Sequence, residues 1–285
     1  MSSLRTLRRR IRSVQNTQQI TKAMEMVAAA KLRRAQARAL AARPYSAKIT
    51  EMLGNLAGAA GDLEHPLFKM REVKRTALVL VTSDRGLCGA YNANLIRAAE
   101  QRLRADATGA TRLYLVGRKA RDYFRRRRYP TLRTITPVPA EAQLDFAREM
   151  TQDLIGRFVS GEVDRVELMF TRFISALRRR IVVETYLPIA GGKADGSPRG
   201  GEAIFEPDAE AIFGELLPRY AAAKLFAALA DALASEHSSR MIAMGSARKN
   251  AGELIDLLVL QRNRLRQAVI TKELLDIVGG AEALH

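Results

Sequence analysis

Hydrophobic positions along this chain follow two periods. At the start Leu4, Leu7, Ile11 and Val14 step at 3-4-3 spacing, the seam of a helix in a coiled coil. The seam turns polar at Gln18 and Thr21, and apolar residues resume one position shifted at Ile20, Met24 and Val27. From Ser3 to about Ala60 the chain is rich in good helix formers and has no glycine before Gly54, so this zone predicts helix. Pro44 either kinks that helix or divides it, because proline lacks an N–H and crowds the preceding turn.

The far end carries the same helical period for longer. Between Arg219 and Val278 there is no proline, and the only glycines are Gly245 and Gly252. A heptad frame runs Phe226, Ala230, Leu233, His237, Arg240, Met244, Ala247, Ala251, Leu254, Leu258, Gln261, Leu265, Ala268, mostly apolar. Sixty residues of helix would span roughly 90 Å, whereas a compact chain of this size has a radius of gyration of about 19 Å. So long a helix is expected to project and to lay its stripe against the helix from the other end, as an antiparallel coiled coil.

The middle alternates at shorter range. Thr76–Thr82 and Arg112–Gly117 read as buried strands, with helices at Asn92–Ala105 and Arg118–Arg128. A strand near Leu132–Pro137, a helix over about Ala140–Val159 and a hairpin of Val163–Ser175 with Arg180–Leu187 follow. The fold class is therefore α/β: a Rossmann-like central domain with a mostly parallel sheet, between two long terminal helices. Three segments result: a coiled-coil helix over 1–60, an α/β domain over 74–208 and a second coiled-coil helix over 209–285. Gly191–Gly201 reads as a flexible loop.

Composition narrows the function. The 285 residues carry 47 Lys or Arg against 30 Asp or Glu, a net charge of +17, and hydrophobic residues make up 47%. That excludes a disordered chain, and a lone cysteine, Cys88, excludes a disulfide scaffold. No apolar run reaches the length of a membrane span, and the basic start lacks a signal-peptide pattern. Residues 1–50 hold twelve Lys or Arg and one acid, Glu25, so most of the excess charge belongs to the first helix. Such a surface meets nucleic acid, anionic lipid or an acidic protein.

The search for chemistry returns little. Thr82–Asn92 (TSDRGLCGAYN) sits where an α/β domain places a phosphate cradle, but lacks both the dinucleotide glycine pattern and the Gly-Lys-Ser/Thr of a P-loop. A tight structural turn is the favoured reading. His65, His237 and His285 lie too far apart for a zinc site with one cysteine. His237, flanked by Glu236 and Ser238, is expected on a helix seam or in solvent, because neighbouring helical residues point about 100° apart. Cys88 reads as a small buried residue. The run Arg125–Arg128 reads as a solvated basic face.

Three blocks carry a resemblance: ITKAMEMVAAAKLRRAQ at Ile20–Gln36, TSDRGLCGAYN at Thr82–Asn92, and SEHSSRMIAMGSARKNAGELI at Ser235–Ile255 with RNRLRQAVITKELLDIVGGAEAL at Arg262–Leu284. In order and separation they closely resemble the γ subunit family of bacterial-type F-type ATP synthases. The resemblance implies a central rotor shaft that couples proton flow through the membrane sector to ATP synthesis or hydrolysis. It implies as partners the α and β subunits of the catalytic head, the ε subunit and the membrane c-ring. It implies no catalytic residue, cofactor or metal on this chain, with ATP, ADP and Mg²⁺ held by α and β. The implied location is peripheral, on the cytoplasmic side of a bacterial plasma membrane, and the lack of a transit peptide before the first block favours a bacterial source. Met24 resembles the shaft methionine that faces the acidic lever of β; Arg266 and Gln267 resemble the pair that engages a β loop, with Thr271 nearby. The basic helix would then form a collar facing acidic levers. The cysteine pair of the chloroplast redox segment is not available with Cys88 alone.

A second reading is a basic coiled-coil nucleic-acid binder, with no motor role, resting on the charge of the first helix alone. A third is a self-associating coiled-coil scaffold.

Overall fold

A computed structural model describes residues 4–59, 65–106, 109–189 and 209–282. The loop expected at Gly191–Gly201 lies outside the described residues. Two long helices bracket the chain: α1 over Leu4–Ala59 and, last in order, α5 over Ala209–Glu282. Helix α1 runs through position 44 as one element, so the proline there does not divide it. Helix α5 is longer than the proline-free stretch suggested, because it starts upstream and runs across Pro218.

Between them lie β1 (Thr76–Val81), α2 (Tyr91–Ala105), β2 (Thr111–Val116), α3 (Arg118–Arg126), β3 (Thr131–Ile135), α4 (Leu144–Val159), β4 (Arg165–Phe173) and β5 (Arg179–Leu187). The strands form one sheet in the order β3-β2-β1-β4-β5. Strands β1, β2, β3 and β4 are parallel, whereas β5 pairs antiparallel with β4 through the expected hairpin. Parallel strands need covering on both faces, and every residue of β1 is buried. Leu78, Leu80, Leu113 and Leu115 point to one side with Leu95 of α2 and Phe124 of α3. Val79, Val81, Tyr114 and Val116 point to the other, against Met150 and Leu154 of α4 and Leu217, Leu225 and Leu229 of α5.

Element ends are fixed by specific contacts. The Asp106 carboxylate, just past α2, accepts from the Thr111 N–H at 2.8 Å and so ties the end of α2 to the start of β2. Gly117, the hinge from β2 into α3, has φ +100°, a conformation that favours glycine.

Packing divides the chain into two compact units. One comprises 1–28 with 240–285, the other 29–239, so the division falls inside both long helices.

Candidate functional interface

The first unit is a pair of helical segments. Its apolar base is Leu7 and Ile11 of α1 against Leu258 of α5, with Val14, Val259 and Leu265 packed around them. Farther along, a Cβ on Gly252 would stand 3.1 Å from the Gln18 amide nitrogen, and one on Gly245 would stand 3.2 Å from Glu25 Oε1. Numbers fall on one helix as they rise on the other, so the pair is antiparallel, as the sequence suggested.

The seam itself differs from expectation. Apolar residues at Ile20 and Val27 suggested a shift, yet these side chains are 60% and 56% exposed. The α1 seam instead keeps its heptad through Gln18, Thr21, Glu25 and Ala28, all buried or half-buried. Thr21 answers its own hydroxyl by donating to the Gln18 carbonyl at 3.0 Å. Glu25 accepts from Arg248 Nε at 2.9 Å. The glycines opposite, one heptad apart, supply the room for these longer polar side chains. That signal was present in the sequence: two glycines seven apart on one helix, two polar seam residues seven apart on the other.

What the seam rejects, the outside displays. Ile20, Met26 and Val27 on α1 and Leu257, Leu274 and Leu275 on α5 are exposed. Arg5, Arg8, Arg9, Arg10 and Arg12 are exposed as well. Exposed apolar side chains in such number mark a surface that meets another protein. Met24 is half-buried; Arg266, Gln267 and Thr271 are exposed. These four do not form one site. Met24 lies near the level of Gly245, whereas Arg266 follows Leu265 in the cluster around Leu7. About twenty residues separate these levels, roughly 30 Å of helix.

In the second unit the turn after β1 is tied to the start of α3. At the start of α3, Arg118 N–H donates to Asp84 at 2.7 Å, Lys119 N–H to the Ser83 carbonyl and Ala120 N–H to the Thr82 hydroxyl. These amides open α3; within the turn that leads into α2, Ser83 N–H donates to the Asn92 side-chain oxygen at 3.0 Å. Asp84 also accepts from Val138 N–H at 2.7 Å, joining three segments. Cys88 is buried and accepts from the Asn92 amide at 3.1 Å.

Open sheets of this order bind ligands where strand order reverses, outside the carboxyl ends of the central strands. Here that reversal lies between β1 and β4. Helix α5 occupies it: Tyr91 donates to the Ala232 carbonyl at 3.1 Å, and Ser235 donates to the Thr171 carbonyl at 3.0 Å. His237, one turn from Leu233, is buried on the seam face of α5.

A charged network that the sequence did not announce crosses the far side of the sheet. Asp153 on α4 meets Arg157 at 3.2 Å and Arg133 of β3 at 3.3 Å, and Arg133 reaches Glu149 at 3.0 Å. Burial would raise the Asp153 carboxyl, but the hydrogen bond from Arg157 and the neighbouring guanidinium of Arg133 hold it below the ordinary range. Tyr114 beside it is pushed above the usual phenol range, first by burial and then by the Asp153 charge. No spacing rule links β2, β3 and α4 before folding, so the sequence carried no sign of this cluster. Among the described residues no group of His, Cys, Asp and Glu could hold a metal ion.

The profile of a family described as ATP synthase matches residues 3–284. A curated relative, the ATP synthase gamma chain of Moorella thermoacetica, is 50% identical over 284 residues, covering both chains fully. Among solved structures, a chain from the central stalk and c-ring of the Tetrahymena thermophila mitochondrial ATP synthase matches with 27% identity and a TM-score of 0.64. The match covers 80% of this chain and 99% of that one. A chain of the Euglena gracilis mitochondrial ATP synthase shares the fold at 20% identity, with a TM-score of 0.70, covering 99% of this chain and 94% of that one.

Proposed function

The chain belongs to the ATP synthase γ-chain family, and on that premise we propose that it is the central rotor shaft of an F-type ATP synthase. The shaft couples proton flow through the membrane sector to ATP synthesis or hydrolysis in a head of α and β subunits. From this chain's own geometry, the reading rests on the antiparallel helix pair of the first unit. Its seam is partly polar, and it leaves Ile20, Val27 and Leu257 exposed beside a row of arginines. A sleeve of surrounding subunits would cover those side chains and meet that charge.

In this reading the chain is not itself catalytic: ATP, ADP and Mg²⁺ bind on α and β, and the chain contributes geometry. Met24 faces one level of the β subunits, and Arg266, Gln267 and Thr271 another. Two levels on a rod suit a device that must push and release each β in turn. The α/β unit carries the contacts to ε and the c-ring, and the protein sits peripherally on the cytoplasmic side of a bacterial plasma membrane. No described helix is long and apolar enough to cross a membrane. Contacts that are made and broken each turn are expected to be solvated and individually weak, which fits exposed Arg8, Arg9 and Arg12. The nucleic-acid reading draws on the same charge and has no further support.

Co-expression with cognate α and β subunits tests this. One copy of the chain should co-purify per hexamer and raise its ATP hydrolysis. A hexamer that forms without the chain and ignores it when added overturns the proposal.

A further inference from the structure

Helices α2 and α3 lie side by side on one face of the sheet, and a cleft of about 570 Å³ opens between them. Four cations converge on it: Arg97 from α2, Lys119 and Arg126 from α3, and Arg127 just beyond. Two carboxylates also line it, but both are engaged. Glu100 pairs with Arg127 at 3.6 Å, and Asp122 pairs with Arg121 at 2.8 Å. Arg127 is further held over the Tyr123 ring, 3.7 Å from its centroid. The side chains of Arg97, Lys119 and Arg126 have no hydrogen-bond or ion-pair partner among the described residues.

Arg97, Lys119 and Arg126 are exposed, but they border a shared cleft. Like charges brought together on two helices repel one another, and nothing in the fold requires them at facing positions. A solvated basic face is convex, whereas these groups border a cleft of the size that takes a small ligand. Guanidinium groups suit phosphate oxygens, because their planar fork can donate two bonds at once. We propose that the α2–α3 cleft binds a phosphate-bearing anion, held by Arg97, Lys119 and Arg126. The reading gives a role to Arg126 of the Arg125–Arg128 run, which the shaft function leaves unused, and it stands whether or not the chain turns in a motor. The phosphate could be free in solution or part of a lipid headgroup.

The test uses the full-length chain and two probes, inorganic triphosphate and vesicles of phosphatidylglycerol compared with phosphatidylcholine. Titration calorimetry with triphosphate should show one saturable site, weakened by about tenfold or more in an Arg97→Gln/Arg126→Gln double variant. An Arg112→Gln/Arg180→Gln variant removes the same charge from exposed positions elsewhere and should bind like the parent. Vesicle sedimentation that favours phosphatidylglycerol and is lost only in the cleft variant supports the same site with a lipid source. Circular dichroism melts of both variants check that the fold is retained. Absence of saturable binding to either probe, or equal weakening in both variants, overturns the proposal.

Discussion

Glu25 and Arg248 join the two helices of the first unit, with Arg248 Nε 2.9 Å from Glu25 Oε2. Position 245 is glycine, and a Cβ there would stand 3.2 Å from Glu25 Oε1, so its missing side chain leaves the carboxylate room. Glu25 is the only acid among the first 50 residues, and it turns inward while the bases around it face out. Both partners are partly exposed, so their coupling should be small. A double-mutant cycle with Glu25→Gln and Arg248→Gln is expected to give about 0.5 kcal/mol at low salt. Near 1 M salt it should approach zero, because screening then acts within a few ångströms.

The glycines opposite the polar seam make a sharper prediction. In the Gln18→Ala background Gly252→Ala should stabilise by roughly 0.5–1 kcal/mol, because alanine is the better helix former and the space is free. With Gln18 in place the same change forces the amide aside, and most of that gain should vanish. Gly252→Leu overpacks the interface and should cost about 1–3 kcal/mol. Thermal melts of the four variants measure each step, and equal effects of Gly252→Ala in both backgrounds would contradict the pairing.

Gly117 is the most constrained hinge of the second unit. Its φ is +100°, and an added Cβ would lie 2.3 Å from the Thr82 carbonyl oxygen. Gly117→Ala is therefore expected to cost on the order of 3 kcal/mol or more in urea denaturation. Gly156, in the last turn of α4, has open space and no positive φ. Gly156→Ala should be neutral or stabilise by up to about 1 kcal/mol.

How far these features could be read in advance depended on whether they are periodic. The unbroken apolar run of Ala77–Val81 and the apolar face of α2 placed the sheet and its covering helices to within a few residues. The heptads of both termini gave the antiparallel pairing. They misled at Gln18–Thr21, where following hydrophobicity moved the seam onto Ile20 and Val27. Packing kept the register set by Leu7 and Ile11 and accepted polar residues, because glycines stood opposite. Such compensation is a property of two helices together and is invisible on either alone. The plugging of the sheet's switch point by Ala232 and Ser235 is likewise a long-range event, linking residues more than 60 positions apart.

The Asp153 cluster predicts a pH response. Its folded-state carboxyl is held below the ordinary value, so its contribution is fully present above about pH 4, where the unfolded carboxyl is also ionised. It is lost as pH falls through the depressed folded value. Asp153→Asn should lower stability at neutral pH and flatten the acid limb of a stability-against-pH curve below about pH 4. An unchanged acid limb would show that other carboxylates carry it. At the other end, buried Tyr114 and Tyr186 both resist ionisation, so stability should decline above about pH 10 as unfolded tyrosines ionise.

Met24 tests the shaft reading at a single side chain. It is half-buried on α1 beside Glu25, near the level where Gly245 and Arg248 meet that helix. If this level meets an acidic lever of β, Met24→Lys adds a cation to a contact that must break on every turn. An extra attraction on the order of 1 kcal/mol would deepen one resting angle of the shaft more than it alters the chemistry on β. ATP-driven proton pumping in reconstituted vesicles should therefore fall more than ATP hydrolysis measured in the same vesicles. High salt should restore part of the ratio, because the added attraction is screened. If pumping and hydrolysis fall together, Met24 acts through assembly or packing, and the contact that couples rotation to catalysis must be sought at Arg266 and Gln267 instead.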